Sequence, residues 1–264
     1  MSFRKQLLLL LFIPSLSYAQ SFSQQEVSRY KAQAKNVTII RDNWRIPHIY
    51  GKTDADAVFG LLYAQCEENF PRVEKNYLEM MGRLAEVEGK TLIYQDLEMR
   101  LIYDSNAAIN DYKKSPAWFQ KLLNAFADGI NYYLFTHPSV KPAVLKKFQP
   151  WLPLMYTDGS IAPTQTGGLT MQDIRNLYST REASGTAFSE RTVPFPDVDP
   201  AGSNGFAIAP SRTASHNSIL YINPHVTFYF RTEIQMVSEE GLDTYGAITW
   251  GQFFVYQGFN SHCG

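Results

Sequence analysis

Hydrophobic residues recur at helical spacing in the first part of the chain, and the longest such stretch begins near Thr53. Apolar side chains repeat there every three or four positions, at Val58, Leu61, Leu62 and Cys66. This spacing places them on one side of a helix and the intervening polar residues on the other. The pattern predicts an amphipathic helix with one buried face.

Prolines divide this helical region. Pro71 lacks a backbone N–H and should break or kink the helix, after which residues 73–84 carry a second helical stretch toward Gly89. Pro116 suits the first turn of a further helix, whose apolar positions repeat until about His137. The sequence therefore predicts successive helices between these residues.

The pattern becomes extended after residue 186. Thr170 and Asp173 resemble a capping box and predict a short helix to Tyr178, whereas the proline-rich residues 193–200 predict an exposed connector. The predicted strands span residues 37–40, 48–50, 206–209, 219–222, 226–237, 244–250 and 253–256. Helices before the connector and mostly strands after it indicate an α+β fold.

The N-terminal residues have the order of features that is typical of a secretory signal peptide. Arg4 and Lys5 precede an apolar run at residues 7–13, and residues 17–19 supply a cleavage triplet. A buried N-terminal helix is the alternative, but this order favours a signal peptide that is removed after Ala19. The mature protein is therefore expected in the periplasm or outside the cell, and no other segment is predicted to span a membrane.

Composition narrows the classes of function. Apolar residues occupy 45% of the 264 positions, which is enough for a packed core. The formal net charge of −1 gives no general attraction to nucleic acids or anionic membranes, so neither is an expected partner. The two cysteines, Cys66 and Cys263, do not form a disulfide framework, and one bridge between them is allowed but not required.

Ser203, immediately after the connector, is the candidate nucleophile. Residues 201–205 resemble the Gly-x-Ser-x-Gly nucleophile elbow, but an elbow requires a strand before the serine and a helix after it. Here a proline-rich coil precedes Ser203 and a predicted strand follows it. Two interpretations of Ser203 remain. It is either an ordinary turn serine or a serine that becomes an N-terminus, and spacing alone favours the turn serine.

The second of these interpretations gives Ser203 both a nucleophile and a base. Cleavage of the Gly202–Ser203 bond would leave a hydroxyl and a free α-amine on one residue, and an amine with a pKa near ~8 can accept a proton at neutral pH. Gly202 has no Cβ, so the peptide can adopt the strained geometry in which the hydroxyl attacks the preceding carbonyl. No separate histidine–aspartate pair is then required.

Several separated segments carry motifs that occur together in one enzyme family. They lie at residues 37–42, 46–49, 59–65, 82–86, 202–204, 223–225 and 258–260. In this order they resemble the penicillin acylase family of N-terminal-nucleophile hydrolases. Gly185, residues 188–190 and His225 resemble the acyl-homoserine-lactone and aculeacin-type (echinocandin) acylases more than the penicillin G enzymes. The resemblance favours the catalytic interpretation of Ser203.

The resemblance implies an αββα sandwich and a precursor that is cut into two chains. Residues 20–190 would form a mostly helical first chain, residues 191–202 a connector that ends at the cleavage site, and residues 203–264 the start of a second chain. Because the last predicted strand has nothing to cover it, we expect this sandwich to be incomplete at Gly264. The remainder of the second chain, which would hold the oxyanion-hole residues, is the expected partner in a heterodimer.

His225 is the second site residue that the resemblance implies. The corresponding residue in the family lies beside the nucleophile and holds its α-amine, whereas a histidine at a strand end can also be purely structural. The sequence departs from the family pattern at Cys66, where aspartate is common. It also departs at Gly205 and Phe206, where many members have a bulky residue followed by a small one. Neither departure removes the nucleophile.

No catalytic cofactor is expected. Some relatives bind a structural calcium, whose ligands would lie mostly beyond Gly264, and neither Glu182 nor Glu190 is assigned to it. The remaining histidines are scattered and have no paired metal ligand at helical or hairpin spacing. They are His48, His137, His216 and His262.

These features together predict an exported, self-processing hydrolase of linear amides. Ser203 would attack the carbonyl of a small acyl amide, such as an N-acyl-homoserine lactone, a β-lactam or a lipopeptide, and form an acyl-enzyme. The aromatic and aliphatic residues of the helices favour an apolar acyl group. The competing class is an inactive truncated remnant or a secreted binding protein without catalysis. An open reading frame beyond the Gly264 codon would distinguish the two.

Overall fold

A computed structural model describes residues 22–155, 171–179, 203–225 and 231–264, so the predicted signal peptide, the connector and Gly202 lie outside these residues. The helices are α1 (Gln24–Ala34), α2 (Asp54–Met80), α3 (Ala85–Glu88), α4 (Ile93–Ile102), α5 (Ser105–Lys114), α6 (Ala117–Thr136) and α7 (Met171–Ser179). The strands are β1 (Val37–Arg41), β2 (Pro47–Gly51), β3 (Asn204–Ile208), β4 (Ile219–Asn223), β5 (Arg231–Ser238), β6 (Asp243–Thr249) and β7 (Gln257–Phe259). Within these ranges, no helix combines the length and the apolar composition that a membrane span requires.

Five strands form one sheet in the order β1-β2-β5-β6-β7. Neighbouring strands are antiparallel except for the central pair, β2 and β5, which run parallel with Ile49 opposite Met236 and Gly51 opposite Ser238. This pair joins strands that precede the connector to strands that follow Ser203. Both predicted chains therefore contribute to the same sheet. The remaining two strands, β3 and β4, form a separate antiparallel hairpin.

Helix α2 covers one face of the five-stranded sheet, and α6 packs along α2. Side chains at alternate sheet positions, including Ile49, Ile234 and Met236, are buried in this interface. At Gly60 the helix lies so close to the sheet that a Cβ atom would be 2.5 Å from Cγ1 of Val37. Burial of this apolar face is the main favourable contribution to the stability of the fold.

Helix α2 begins and bends near the predicted positions. Thr53 Oγ1 accepts a hydrogen bond from the backbone N–H of Asp56 at 3.1 Å, and the Asp56 carboxylate accepts one from the Thr53 N–H at 3.2 Å. The helix kinks at Asn69, whose φ of −158° and ψ of 73° are not helical, two residues before Pro71. Asn69 Oδ1 then accepts from the Arg72 N–H at 3.1 Å, which caps the second half of the helix.

Most of the predicted elements are confirmed. Pro116 is the N-cap of α6, and His137 is its C-cap. The helical stretch predicted over residues 73–84 is shorter than expected. Helix α2 ends at Met80, and the positive φ of 59° at Gly82 interrupts the helical pattern. The predicted short helix is α7, although its expected cap, Thr170, lies outside the described residues. Helices and a mainly antiparallel sheet confirm the α+β class.

One predicted strand is wrong. Residues 253–256 form bends, and β7 begins only at Gln257. Phe253 is buried beside Phe126 of α6, with ring centroids 6.4 Å apart, whereas Phe254 is 51% exposed. The apolar composition of this segment therefore reflects packing on a helix and not pairing with another strand.

Candidate active site

The two predicted site residues, Ser203 and His225, lie at the same end of the β3–β4 hairpin. Ser203 immediately precedes β3 and is exposed. The antiparallel register places Asn204, the first residue of β3, opposite Asn223, the last residue of β4. His225 follows β4 by two residues and is also exposed. Pairing of the two strands therefore brings both residues together from separate parts of the sequence.

A side-chain contact links the two strand ends. The amide nitrogen Nδ2 of Asn204 lies 3.2 Å from Nε2 of His225. A hydrogen-bonded imidazole thus contacts the residue that directly follows the predicted nucleophile.

The hairpin presents apolar side chains on both of its faces. Phe206 and Tyr221 are opposite each other in the ladder and stack with ring centroids 4.8 Å apart and an interplanar angle of 11°. Leu220 and Ile222 project from the other face of β4. These four side chains are between 39% and 54% exposed. The region next to Ser203 therefore offers contact surface for an apolar group.

A cavity of about 450 Å³ lies between this hairpin and the five-stranded sheet. Its apolar walls include Leu220, Tyr221 and Ile222 from the hairpin and Phe259 from β7. The volume falls in the range of small-molecule sites, which are about 300–1,000 Å³. The cavity lies beside the hairpin that follows Ser203, and neither Ser203 nor His225 is among its lining residues.

The polar side chains that line the cavity contact one another. The Tyr245 hydroxyl donates a hydrogen bond to the Glu233 carboxylate, and the Arg231 guanidinium donates to the side-chain oxygen of Gln257. Burial and the Glu233 contact raise the pKa of Tyr245 to about 12. The phenol therefore remains protonated, and a hydrogen-bond donor, at neutral pH.

The early motif residues connect β1 to α2. Arg41, at the end of β1, forms ion pairs with Glu67 at 3.2 Å and with Glu68 at 3.4 Å. Cys66, the departure from the family pattern, is buried in the core, and burial raises the pKa of its thiol. Cys66 and Cys263 are both free, the first buried and the second exposed. Cys66 therefore contributes to packing.

Three buried polar side chains of α2 hold the loop between β6 and β7. The Gln65 side chain accepts a hydrogen bond from the Gly251 N–H at 2.8 Å and donates one to the Gln252 carbonyl at 2.8 Å. Asn76 donates to the Trp250 carbonyl at 2.9 Å, and the Tyr77 hydroxyl donates to the Gly251 carbonyl at 2.6 Å. This anchor was not predicted from the sequence, although polar residues on the apolar side of a helical pattern were an available signal.

Two of the scattered histidines contact other side chains in the structure. His48 places Nδ1 2.6 Å from the Gln235 side-chain oxygen and Nε2 3.6 Å from the Asp42 carboxylate. His137 stacks on Tyr133 with ring centroids 4.3 Å apart. Among the residues that the structure describes, no group of three or more His, Cys, Asp or Glu side chains is placed to hold a metal ion.

Comparison with known proteins gives one consistent family. A model of the penicillin amidase family matches residues 36–264. The acyl-homoserine lactone acylase QuiP of Pseudomonas fluorescens (strain Pf-5) is 23% identical over 297 residues, which cover 93% of this chain and 36% of that protein. The penicillin acylase 2 proenzyme of Pseudomonas sp. (strain SE83) is 24% identical over 238 residues, 73% of this chain and 30% of that protein.

One solved structure has a weaker similarity to this chain. The thermostable penicillin G acylase of Alcaligenes faecalis has a TM-score of 0.42 and 18% sequence identity, covering 61% of this chain and 97% of that one. The family match, and not this likeness, identifies the relationship. The chain thus spans 36% and 30% of the lengths of the two relatives named above.

Proposed function

Because this chain belongs to the penicillin amidase family, we propose that its gene encodes a self-processing amide hydrolase with Ser203 as the nucleophile. The observation that carries the proposal is the register of the β3–β4 hairpin, which sets Ser203 and His225 at one end of a two-stranded ladder. The N-terminal-nucleophile fold of the family agrees with the arrangement of helices and strands.

Processing is the first proposed step. The Ser203 hydroxyl attacks the carbonyl carbon of Gly202, the C–N bond breaks, and an ester forms while the nitrogen gains a proton and becomes the α-amine of Ser203. Water then hydrolyses this ester and leaves a carboxylate on Gly202. The exposed position of Ser203 ahead of a strand supports this step, because the new N-terminus needs no rearrangement of the ladder.

Turnover uses the same hydroxyl on a different amide. The α-amine of Ser203 accepts the proton of its own Oγ as that oxygen attacks the substrate carbonyl, and it returns the proton to the leaving amine. The acyl-enzyme ester is then hydrolysed by water. In this scheme His225 is a positioning residue, since it holds the strand end that carries the α-amine.

The substrate class follows from the cavity and from the relatives. The cavity of about 450 Å³ next to the hairpin has an apolar wall that suits an acyl chain or an aromatic acyl group. The names of the relatives, acyl-homoserine lactone acylase and penicillin acylase 2 proenzyme, support an N-acyl amide as the substrate. The word proenzyme also supports a precursor as the translation product of the gene. We therefore favour an N-acyl-homoserine lactone or a β-lactam amide over a peptide.

Export and assembly complete the proposal. The N-terminal sequence supports removal of a signal peptide after Ala19 and function in the periplasm or outside the cell. Cleavage before Ser203 would give two chains that remain joined through the parallel pairing of β2 with β5. The second chain, together with any sequence beyond residue 264, is the proposed partner of the first.

Substitution of Ser203 tests the proposal. The full-length product of the gene should be recovered as two polypeptides, the second of which begins at Ser203 by N-terminal sequencing. Ser203→Ala should yield one uncut polypeptide with no hydrolysis of an N-acyl-homoserine lactone, because the attacking oxygen is gone.

Ser211→Ala is the matched control, since Ser211 is an exposed serine in the same hairpin connection and should be cut like the unchanged protein. Cleavage of the Ser203→Ala protein at the same bond would refute self-processing.

A further inference from the structure

A groove between α6 and the loop that follows β6 is not used by the proposed reaction. We propose that this groove is a separate binding site for a long-chain fatty acid, with the apolar tail in the groove and the carboxylate toward the lysines beside it. The inference concerns binding and not turnover, so it does not depend on Ser203 being a nucleophile.

The walls of the groove are apolar. Its volume is about 300 Å³, within the range of small-molecule sites, and none of its eight lining side chains is charged. Three segments of the chain supply the apolar walls, namely α6, the turn Leu152–Met155 and the loop after β6. The apolar lining residues are Phe119, Pro153, Leu154, Phe253, Phe254 and Tyr256. An apolar chain gains free energy by leaving water for such walls.

A series of aromatic rings continues from the groove to the surface. The ring centroids of Phe253 and Phe119 are 6.2 Å apart, and those of Phe119 and Trp118 are 5.4 Å apart. Trp118 is 65% exposed at one end of the series, and Phe254 is 51% exposed at the other end, next to Phe253. An occupant of the groove would therefore bury exposed apolar surface that the described residues leave uncovered.

Positive charge lies at the tryptophan end of this series. Lys113 and Lys114 end α5 shortly before α6 begins, and Lys121 lies one helical turn beyond the exposed tryptophan. All three lysines are exposed, and none forms an ion pair with another described residue. Asp111 is the one acidic residue between positions 105 and 121. Helix α5 also packs against the turn Leu152–Met155, which places it beside the groove.

An uncharged groove with cations at one end is complementary to a ligand that has an apolar tail and one negative charge. A fatty acid has both features. An anionic membrane surface is the alternative partner, but a flat bilayer would reach Trp118 and Phe254 without reaching Phe253, which is buried in the groove wall. A single chain that enters the groove contacts all three rings, so we favour the fatty acid.

Calorimetric titration of the full-length gene product with fatty acids of increasing length tests the tail. Burial of two more methylene groups should strengthen binding by about tenfold at each step from octanoate to decanoate to dodecanoate. Phe254→Ser should weaken decanoate binding by about tenfold, because it removes one wall. Leu101→Ser is the control, since Leu101 is an equally exposed apolar residue on α4. No binding of dissolved dodecanoate, or an affinity that does not depend on chain length, would overturn the inference.

Removal of the lysines tests the head group. A triple Lys→Gln variant at positions 113, 114 and 121 should weaken decanoate binding by about three- to tenfold at low ionic strength. Its binding of uncharged 1-decanol should be unchanged. The control triple variant removes the same charge from exposed lysines elsewhere, at positions 31, 35 and 52. Equal losses from the two triple variants would overturn the assigned carboxylate position, because they would reflect net charge alone.

Fluorescence quenching tests the location and the orientation of the ligand. The bromine of 2-bromododecanoate lies beside the carboxylate, so this ligand should quench Trp118 more than 12-bromododecanoate does. Trp118→Phe should abolish that difference while calorimetric binding persists. Stronger quenching by the 12-bromo isomer would overturn the orientation. Sedimentation of the protein with phosphatidylglycerol vesicles, without binding of dissolved fatty acid, would identify a membrane contact and overturn the proposed site.

Discussion

The hydroxyl of Tyr77 donates a 2.6 Å hydrogen bond to the carbonyl of Gly251, across 174 residues of sequence. The phenol ring also lies against the same glycine, because a Cβ atom there would be 2.9 Å from Cε2 of Tyr77. Gly251 has a φ of +86°, a conformation that other residues rarely adopt. One tyrosine of α2 thus determines both the path and the composition of the loop that follows β6.

Gly251→Ala should therefore destabilise the protein strongly. The added methyl would meet the Tyr77 ring and would also force alanine into a left-handed backbone, at a combined cost of about 2–4 kcal/mol in the free energy of unfolding. Gly241→Ala provides the control, since Gly241 has a φ of +110° but no atom within 4 Å of its Cβ position. Urea denaturation should show a cost of only about 1–2 kcal/mol there, from the backbone conformation alone. Equal costs at the two sites would show that backbone conformation alone accounts for the effect.

Glu74→Gln should also weaken the fold. The buried carboxylate of Glu74 accepts hydrogen bonds from three successive backbone N–H groups, those of residues 143–145, at 2.7 to 2.9 Å. The glutamine side chain has no negative charge to strengthen these bonds, and its NH2 group would face a backbone N–H group. The substitution should therefore cost about 1.5–3 kcal/mol in unfolding free energy. Glu67→Gln, on the same helix but partly exposed, should cost less than about 1 kcal/mol by the same measurement.

His225→Ala should impair turnover more than folding. His225 is exposed, so its removal leaves no cavity and the unfolding temperature should change little. Loss of the ring that faces Asn204 should reduce kcat for an acyl amide by about tenfold or more. His262→Ala, another exposed histidine, should leave both quantities unchanged. Full activity in the His225 variant would make this residue structural.

The stability of the N-terminal helix should depend on acid pH. The hydrogen bond from Lys147, followed by that from the Ser23 backbone, lowers the pKa of Glu26 to about 2. The unfolded value is about 4.3, so the stabilising contribution is present above that pH and is lost as the pH falls toward 2. Because the pair is partly exposed, its contribution should not exceed about 1 kcal/mol.

Lys147→Met tests this dependence. The variant should be less stable than the unchanged protein at pH 7 and equally stable near pH 2, as measured by urea denaturation at each pH. In a Glu26→Gln background the same substitution should have no effect between these pH values. A constant difference across the range would assign the effect to packing of the Lys147 side chain.

Periodicity predicted the helices that bury one continuous apolar face. α2 and α6 carry long apolar repeats, and their predicted ends at Thr53 and His137 coincide with the caps in the structure. α1 and α5 were missed because their apolar positions are few. α4 has several apolar residues, but Ile93, Leu101 and Ile102 are exposed, so they do not form one buried stripe. Capping chemistry was the better signal for α1, where Ser23 and Glu26 form a complete capping box.

Relationships between distant segments were beyond what the sequence pattern could predict. Parallel pairing of β2 with β5 depends on the path of the intervening chain, which no local pattern specifies. The proximity of Ser203 and His225 was expected only from family resemblance, and the ladder that joins β3 to β4 supplies a physical basis for it. The side-chain contact between Asn204 and His225 could be found only from an interatomic distance.

The parallel pairing also constrains the order in which the chain can fold. His48 and Gln235 contact each other across 187 residues, and contacts of such separation slow folding because a long loop must close first. Until β5 and the loop beyond β6 have left the ribosome, β2 is an open edge and Gln65 and Asn76 have no loop to bind. The segment made first therefore waits for strands that are made later. Completion of the five-stranded sheet is thereby postponed until translation has passed the whole of β6.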